Sequence, residues 1–493
     1  MEEVIVRKIE LMSKQLVSTV ANYPSKRDLF HKILKVDPEF FVGIKGLRGV
    51  GKTTLMLQLA PHLRNSVYFS ADHYILSSFD LYETINTLSK RGYTNILIDE
   101  IHTRPDWQKI LKSVYDERKV RVFFSGSSYM MLDDMSSDLS RRVVLYDLPP
   151  LSFREFLGFF SKRKYLQKVD LATGEIGVGS CLTIGNYNVC LDNITTQNND
   201  AVISILDSNK NNITRITIPK NSSRSYILDH MLLNIIVHDV APGYGLIPKY
   251  AKVEIELYEL GVKQKLTIEE IIEKKRDYTL AYLEAYDFFA DYLKYGGVLY
   301  PLEEEYYGAV VTSIEKTIKS DISLRYSFST NEVNTAMKMM YFFASSKAGE
   351  LSVNNLADVF AVSRRQIENT ITALETASLI KRVEACGAEQ SVRKERKLYL
   401  PFPYRYALSQ VRGEIPDIGV LREEFFVNHI GNYDLCYPKG EKRKPDFMHK
   451  KLKRIFEVGG ESKKSGQGAD YLVVDSTSFE NNKIPLFLFG FLY

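Results

Sequence analysis

Between residues 40 and 160, short apolar runs alternate with stretches in which apolar positions have helical spacing. The runs are β-prone and end in turn residues; they cover 40–44, 66–70, 96–99 and 120–124. Continuous apolar runs of this length are typical of parallel strands buried on both faces. The pattern therefore predicts an α/β fold with a parallel sheet over residues 1–164, and helix over residues 1–36 ahead of the first strand.

The pattern changes near residue 165, where asparagine becomes frequent and short Ile/Val/Thr runs are joined by polar turns. Strands are expected at 201–206, 214–219 and 251–258, so residues 165–272 are predicted to form a β-rich insertion, either a small barrel or a sandwich. Three further domains are expected: a helical segment over 273–347, a helix-turn-helix with two strands over 348–402, and mixed helix and strand over 403–493.

Composition places the chain among ordinary globular proteins. Its 493 residues predict about three domains at roughly 150 residues each. Hydrophobic residues make up 45% and charged residues 26%, which excludes a largely disordered chain. The net charge is only +4, so a nucleic-acid surface would have to be a local basic patch.

The same survey predicts a cytoplasmic protein that does not enter a membrane. No apolar run reaches the roughly 18 residues needed to span a bilayer, and the start of the chain, Met1-Glu2-Glu3-Val4, lacks a signal-peptide core. The four cysteines are widely spaced. Cys181 and Cys190 are the two that could pair, but free thiols are expected in the cytoplasm.

The clearest local motif is Gly46-Leu47-Arg48-Gly49-Val50-Gly51-Lys52-Thr53, which fits G-x-x-x-x-G-K-[ST] between a strand and an apolar helix. In such a loop, glycines let main-chain N–H groups turn inward around phosphates at a helix N-terminus. Lys52 is expected to reach the β- and γ-phosphates, and the Thr53 hydroxyl to bind Mg²⁺. The expected ATP contacts are these eight residues and Thr54.

A second motif, Ile96-Leu97-Ile98-Asp99-Glu100, is an apolar strand that ends in adjacent carboxylates. Alone it is weak evidence, but it follows the loop after one strand-and-helix unit. Asp99 is expected to bind Mg²⁺, and Glu100 to polarise the attacking water. The two motifs together predict that ATP and Mg²⁺ are bound.

Two further candidates lie on the next strand and beyond it. The run at 120–124 continues into Ser125-Gly126-Ser127, and Ser125 or Ser127 is expected near the γ-phosphate, with Ser127 as the candidate; an ordinary turn is the alternative. Of Arg141 and Arg142, the second is expected to act as an arginine finger on a neighbouring subunit, which implies a homo-oligomer. The alternative is a solvated arginine pair.

Several of these segments together resemble the AAA-type P-loop ATPases of archaea and bacteria, whose C-terminal region of unknown function is related to restriction endonucleases. The segments are 46–53, 97–100, 125–127, 139–142 and 148–156, and the lid of that family resembles 292–297 and 319–322. The resemblance covers 1–164 and 276–493, not the insertion. It implies a P-loop NTPase parallel sheet with a helical lid, a winged helix and an α/β endonuclease-like C-terminal domain.

The region 348–402 has the order expected of a winged helix. Residues 351–363 predict a helix and turn, and 364–374 predict a second helix with Ser363 as its N-cap. Ile367, Ile371 and Leu374 form its apolar stripe. Outward positions hold residue types that contact phosphates and base edges of double-stranded DNA, namely Arg364, Arg365 and Asn369. Because such folds also bind proteins, a protein-interaction role is the alternative.

In the C-terminal region, Asp446 and Glu457 have the spacing of the two metal-binding carboxylates of an endonuclease-like fold. The assisting lysine would stand at position 459, which is glycine here. The expectation is therefore a degenerate site without nuclease activity, although Lys463 or Lys464 could replace the lysine. The surrounding basic residues could hold a phosphate backbone without cutting it.

The sequence as a whole predicts an ATP-binding and ATP-hydrolysing molecular switch that acts on nucleic acid through the winged helix and the degenerate nuclease-like domain. Two alternatives remain open. One is a nucleotide-gated protein-interaction scaffold that does not bind DNA. The other is an ATP-dependent nuclease.

Overall fold

A computed structural model describes residues 2–20, 25–74, 79–127, 137–160, 166–195, 197–228, 231–243, 249–260, 265–298, 305–346, 350–387, 395–431, 434–438, 445–463 and 468–492. The chain divides into two units. Unit 1 comprises residues 1–159 and 265–493, and unit 2 comprises residues 160–264. The insertion was expected over 165–272, whereas unit 2 ends at 264, before the helix Ile268–Glu273. The division into five domains stays a prediction.

A five-stranded parallel sheet carries the first part of unit 1. Its strands are β1 (Phe41–Gly46), β2 (Ser66–Ser70), β3 (Asn95–Asp99), β4 (Arg121–Ser127) and β5 (Val143–Asp147). They lie in the order β2-β3-β4-β1-β5, and every neighbouring pair is parallel. The predicted α/β parallel sheet is confirmed.

Alternate residues of these strands pack into two different apolar cores, one on each face of the sheet. Leu97 and Phe123 belong to one core, while Ile98 and Phe124 belong to the other. This double burial explains why the strands are continuous apolar runs. The helices of this part are Glu2–Val20, Asp28–Leu34, Lys52–Leu59, Leu81–Lys90, Trp107–Glu117, Ser137–Ser140 and Phe153–Phe160, with 3₁₀ turns at Ala60–His62 and Ile101–Thr103.

After unit 2 the chain returns as a helical segment. Its α-helices are Ile268–Glu273, Lys275–Ala281, Phe289–Tyr295, Tyr306–Lys316, Ser323–Tyr326 and Thr330–Ser345, with a 3₁₀ helix at Leu283–Phe288 and a π-helix at Thr317–Ile322. Ile314 and Ile318 are fully buried and share a core with Leu55 and Met56 of the helix that follows β1. This packing places the helical segment against the P-loop helix. None of the described helices is both long and apolar enough to cross a bilayer.

The rest of unit 1 contains a mixed sheet of eight strands. They are β14 (Glu350–Ser352), β15 (Lys381–Ala385), β16 (Glu395–Tyr399), β17 (Leu435–Tyr437), β18 (Phe447–His449), β19 (Arg454–Gly460), β20 (Tyr471–Asp475) and β21 (Lys483–Pro485). Their order is β14-β16-β15-β17-β18-β19-β20-β21. The accompanying helices are Val353–Phe360, Arg364–Thr376, Tyr404–Val411, Ile418–Ile430 and the 3₁₀ helix Leu486–Phe491. The strands of 348–402 and of 403–493 therefore share one sheet, through parallel pairing of β15 with β17.

Unit 2 consists of two antiparallel four-stranded sheets. Its strands are β6 (Leu166–Gly177), β7 (Cys181–Ile184), β8 (Tyr187–Ile194), β9 (Ala201–Leu206), β10 (Asn212–Ile218), β11 (Ser222–Leu228), β12 (Met231–Ala241) and β13 (Tyr250–Leu260). The sheet orders are β10-β9-β8-β7 and β11-β12-β13-β6. Ile203 of one sheet and Ile235 and Ile255 of the other lie in a single apolar core. Of the two expected forms, the structure has the sandwich.

The expectation of free thiols is wrong. All four cysteines are paired, Cys181 with Cys190 and Cys386 with Cys436. Cys181 lies directly opposite Cys190 in the β7–β8 register, and Cys436 lies on β17 beside the end of β15. The expectation rested on cellular location, whereas the strand pairing decides which thiols are adjacent.

Candidate nucleotide-binding site

The P-loop leaves β1 at Gly46 and enters a helix at Lys52. Gly49 and Gly51 have φ values of +84° and +93°, a region that side chains disfavour. A Cβ at Gly46 would lie 2.5 Å from the Leu148 carbonyl oxygen, so that position has no room for a side chain. These glycines give the loop the tight path by which main-chain N–H groups surround an anion.

Lys52 is held inside the loop. Its side chain is buried, and its Nζ donates hydrogen bonds to the Gly46 and Leu47 carbonyl oxygens at 2.9 and 3.0 Å. Burial lowers the pKa of this ammonium group, and the charge of Glu100 opposes the shift. The structure thus places the Lys52 Nζ at the centre of the loop. Its contact with phosphates stays a prediction.

Asp99 is at the end of β3, beside Lys52. It is 2% exposed, and its Oδ2 accepts hydrogen bonds from the hydroxyls of Thr53, at 2.5 Å, and Tyr68, at 2.9 Å. The Ser125 hydroxyl donates to the other carboxylate oxygen. Ser125 also accepts a hydrogen bond from the Glu100 N–H at 3.2 Å. Of the two serine candidates, Ser125 therefore links β4 to both acidic residues.

Glu100 has a left-handed backbone conformation, with φ +49°, which is rare for a residue with a side chain. Its carboxylate faces the cavity described below. His102 Nδ1 lies 3.3 Å from Glu100 Oε2, but this nitrogen has no hydrogen-bond partner among the described residues. Burial lowers the pKa of His102, so a neutral imidazole packs beside Glu100.

A cavity of about 840 Å³ lies in front of these residues. One wall consists of the P-loop from Arg48 to Thr54 together with Glu100. The opposite wall is the helix Tyr306–Lys316, which presents Thr312 and Lys316. Phosphates next to the P-loop would thus lie between the sheet and the helical segment.

The residues present fit Mg²⁺ and ATP. The Thr53 hydroxyl and the Asp99 carboxylate are adjacent oxygen donors, which are the ligands that Mg²⁺ prefers. The buried Lys52 ammonium and the glycine-rich turn match a phosphate chain in charge and space. Leu47 and Val50 are buried beneath the loop, so only their main chain is suited to contact a ligand.

The remaining two predicted ATPase residues are Ser127 and Arg142. The main chain of Ser127 lies opposite Gly46 in the β1–β4 register, but its side chain is outside the described residues. Arg142 precedes β5 at the amino-terminal edge of the sheet, the edge opposite the P-loop. It makes an ion pair with Asp116 at 2.9 Å. Its role as a finger on another subunit stays a prediction.

Sequence reasoning missed Arg27. This side chain is 2% exposed, and its Nη1 donates to the Val50 carbonyl oxygen at 2.7 Å while its Nε donates to Glu155 at 2.8 Å. It therefore supports the P-loop from behind. Glu155 lies within the segment 148–156 that carries the family resemblance, but nothing local in the sequence connects it to Arg27.

A second cluster of polar residues lies on the C-terminal strands. Lys463 Nζ is 2.6 Å from Glu457 Oε1 and 3.9 Å from Asp446 Oδ2. A Cβ at Gly459 would be 2.5 Å from the Lys463 side chain, so the missing side chain at 459 leaves the space that Lys463 occupies. Lys463, one of the two lysines expected as a replacement, thus brings an ammonium group to this position. The lack of nuclease activity stays a prediction.

The carboxylates of this cluster are not all satisfied. Glu457 is 2% exposed, and among the described residues its Oε2 has no hydrogen-bond partner. Glu423, which accepts a hydrogen bond from Tyr399 at 2.8 Å, has its pKa raised to about 7 by burial and by the charge of Asp446. No group of three metal-ligand side chains is close enough to hold an ion within the part of the chain that the structure describes. Lys464 is outside the described residues.

The predicted nucleic-acid residues lie on the helix Arg364–Thr376. Ser363 caps this helix by accepting a hydrogen bond from the Gln366 N–H at 3.2 Å. Ile367, Ile371 and Leu374 are buried, as expected. The three candidates are exposed side chains of the same helix: Arg364, Arg365 and Asn369.

Comparison with known proteins agrees with this geometry. Residues 39–157 match a family model described as an AAA domain. Within these residues the chain is similar to AAA domains. The match, together with the parallel sheet and the loop, supports a nucleotide-binding ATPase.

Two relatives from Methanocaldococcus jannaschii are similar to the chain. The uncharacterized protein MJ1637 is 23% identical over 440 residues, which is 85% of this chain and 73% of that protein. The uncharacterized protein MJ1544 is 28% identical over 180 residues, which is 35% of this chain and 38% of that protein. Neither name states a function.

Two solved structures of other proteins overlap with part of the chain. PCH-2 from C. elegans has a TM-score of 0.20 and 18% identity over 29% of this chain and 44% of that one. AMPPCP-bound DnaA from Aquifex aeolicus has a TM-score of 0.22 and 19% identity over 28% of this chain and 51% of that one. The chain thus spans about half the length of these two structures or less.

Proposed function

We propose that this chain is an Mg²⁺-dependent ATPase that acts as a molecular switch on nucleic acid. The observation that carries the proposal is a cavity next to the glycine-rich loop that Lys52, Thr53 and Glu100 line. Asp99 lies buried behind it and accepts a hydrogen bond from the Thr53 hydroxyl. Strand ends on one edge of a parallel sheet are where α/β proteins bind ligands. A cytoplasmic location is part of the same proposal.

In this proposal the residues of the site have distinct roles. The P-loop amides and Lys52 hold the phosphates, and Thr53 and Asp99 hold Mg²⁺, which neutralises charge on the phosphate oxygens. Glu100 orients the attacking water, and the neutral His102 beside it leaves the carboxylate free to accept a proton. Ser125 fixes Asp99 and the Glu100 main chain relative to each other.

The nucleic-acid part of the proposal rests on the module from β14 to β16. A strand, two helices and two further strands have the order of a winged helix, and its second helix exposes Arg364, Arg365 and Asn369. Guanidinium and amide groups on one exposed helix are suited to the phosphates and base edges of double-stranded DNA. Assembly into a homo-oligomer with Arg142 as a finger belongs to the same proposal.

The ATPase test is steady-state hydrolysis in the full chain, without nucleic acid and with double-stranded DNA, single-stranded DNA or RNA. Lys52→Ala is expected to abolish nucleotide binding, and Glu100→Gln to keep binding while turnover stops. Turnover of Glu100→Gln at the parent rate would contradict its assigned role.

DNA binding is tested by anisotropy of labelled duplex DNA at several salt concentrations. Arg364→Ala/Arg365→Ala should reduce the affinity and lower the salt slope by about two. The matched control is Lys90→Ala/Lys109→Ala, which removes two exposed positive charges from other helices. Equal losses in both variants would indicate non-specific attraction. ATP-dependent protein binding without DNA binding would instead favour the scaffold alternative.

A second candidate function is metal-dependent cleavage of nucleic acid in the C-terminal region, and the position of Lys463 favours it. The orphaned, buried Glu457 oxygen and nearby Asp446 are suited to Mg²⁺, which would activate water and neutralise phosphate charge. Lys463 would assist the water in place of the absent residue-459 lysine.

This second function is tested by cleavage of circular plasmid DNA with Mg²⁺ or Mn²⁺. Asp446→Asn and Lys463→Met should abolish cleavage, whereas Lys451→Met, which removes an exposed charge nearby, should retain it. Cleavage that persists in Asp446→Asn would reject this site.

A further inference from the structure

Arg48 connects the P-loop to the helical segment. Its Nη2 donates to both carboxylate oxygens of Asp321, at 2.9 and 3.2 Å. Asp321 lies in the π-helix Thr317–Ile322, which directly continues the cavity-lining helix Tyr306–Lys316. An ion pair therefore joins the phosphate loop to the continuation of the helix that forms the opposite wall of the cavity.

The pair is shielded but incomplete. The Arg48 and Asp321 side chains are only 20% and 6% exposed. Among the described residues, however, the buried Arg48 Nε–H has no hydrogen-bond acceptor. Arg48 also lines the cavity next to Lys52. A phosphate oxygen in this cavity would meet a guanidinium group with an unused donor.

Asp321 places a negative charge near the cavity in which phosphates are expected. Its carboxylate is close enough to act electrostatically on both Lys52 and His102. A polyphosphate chain would repel this carboxylate and attract the same arginine. Guanidinium groups bind phosphate with two parallel hydrogen bonds at least as well as they bind carboxylate.

We propose that bound nucleotide takes Arg48 away from Asp321, so that ATP binding breaks the ion pair between the P-loop and the π-helix. This inference rests on the proposed ATP site. Asp321 is then a positioning residue that acts through Arg48, and the nucleotide-free state is the one in which the two walls are tied. The change of partner supplies the differential binding that any ligand-driven switch requires.

The alternative is a permanent brace, in which Arg48 stays paired with Asp321 when nucleotide binds. The two descriptions differ in how the effects of Arg48 and Asp321 on nucleotide affinity are coupled. If Arg48 changes partner, loss of the Asp321 charge makes nucleotide binding tighter, and this gain requires Arg48. If the pair is a brace, loss of Asp321 leaves affinity unchanged or weakens it. If Asp321 merely repels phosphate, the gain does not depend on Arg48.

The experiment is equilibrium titration of the full chain with a fluorescent ATP analogue and Mg²⁺, in a double-mutant cycle. Asp321→Asn should lower the Kd about tenfold, which corresponds to about 1.4 kcal/mol of binding free energy. It should also lower the KM for ATP. Arg48→Gln should raise Kd, and Arg48→Gln/Asp321→Asn should show no gain over Arg48→Gln. Glu315→Gln is the matched control, because it removes one lid carboxylate that pairs with Lys319 instead; its Kd should stay within about twofold of the parent value.

The outcomes separate this inference from the function on which it rests. A parent chain that does not bind the analogue would reject the ATP site itself. Binding by the parent with an unchanged or higher Kd in Asp321→Asn, or with the same gain in the absence of Arg48, would overturn the partner exchange. Should Asp321→Asn fail to fold by circular dichroism, Asp321→Ser replaces it in the same cycle.

Discussion

Replacing Arg27 by methionine removes the cation that joins the P-loop to the segment 148–156. Arg27 and Glu155 are 2% and 5% exposed and lie 2.8 Å apart. The substitution leaves the Glu155 carboxylate buried without its counter-charge, although the Asp28 and Ser152 N–H groups still donate to it, at 3.1 and 3.2 Å. It also removes the donor to the Val50 carbonyl oxygen.

The expected loss of folding stability follows from the removal of one partner of a buried ion pair, which typically costs about 3–5 kcal/mol. The two remaining N–H donors to Glu155 argue for the lower end, so we expect the free energy of unfolding to fall by about 3 kcal/mol. Arg27→Met/Glu155→Leu removes both charges and should recover part of this loss. Nucleotide affinity should fall as well, because Val50 lies in the P-loop.

The chain offers a built-in probe for this measurement. Trp107 is its single tryptophan and packs on Phe124 in the core beneath the sheet, with ring centroids 5.7 Å apart. Urea unfolding followed by tryptophan fluorescence therefore reports on the part of unit 1 that contains the P-loop. Lys119→Met, which breaks an exposed pair with Glu117, should leave the transition unchanged.

A loss below about 1 kcal/mol in Arg27→Met would refute the reasoning. It would mean that the carboxylate finds water or protonates without cost, and that Arg27 is not needed to hold the loop. Equal stability of the single and double variants would contradict the pairing itself.

Three further changes test other parts of the structure. Ser125→Ala removes the hydroxyl that binds Asp99, so kcat for ATP should fall about 10–100-fold while KM changes little in steady-state assays. His429 is buried with a pKa lowered to about 3, so the unfolded chain binds more protons below about pH 6.5. The contribution of His429 to the free energy of unfolding is therefore fully present above that pH. It falls as the pH is lowered toward 3, by up to about 1.4 kcal/mol per pH unit. His429→Gln should reduce this slope in urea titrations between pH 5 and 7. Gly459→Ala should displace Lys463 and abolish plasmid cleavage while the ATPase rate is unchanged.

The parts of the site that the sequence predicted are those with local signals. Lys52 follows β1 after the P-loop and Asp99 is the last residue of β3, so the parallel sheet brings them to one edge. Arg27 and Asp321 have no such signal, because each meets its partner only after distant segments pack together. Their partners are 128 and 273 residues away along the chain.

The C-terminal cluster and the cysteines also depend on contacts that the sequence does not show. The motif shows only that position 459 is glycine where a lysine is expected. It does not show that the Lys463 side chain fills the space next to this glycine. Cys386 and Cys436 are 50 residues apart, and only the pairing of β15 with β17 reveals that they are neighbours. Motif spacing describes residues along one strand and carries no information about which strand pairs with it in the sheet.

The eight-stranded sheet has a consequence for how any motion could pass through the molecule. Because β15 pairs with β17, the helix that exposes Arg364 is anchored to the same hydrogen-bonded platform as Asp446 and Glu457. A truncation after residue 402 would strip the neighbour from β15 and leave an unprotected edge that is prone to self-association. A tilt of this eight-stranded sheet would move the exposed helix and the two carboxylates together, as one rigid element.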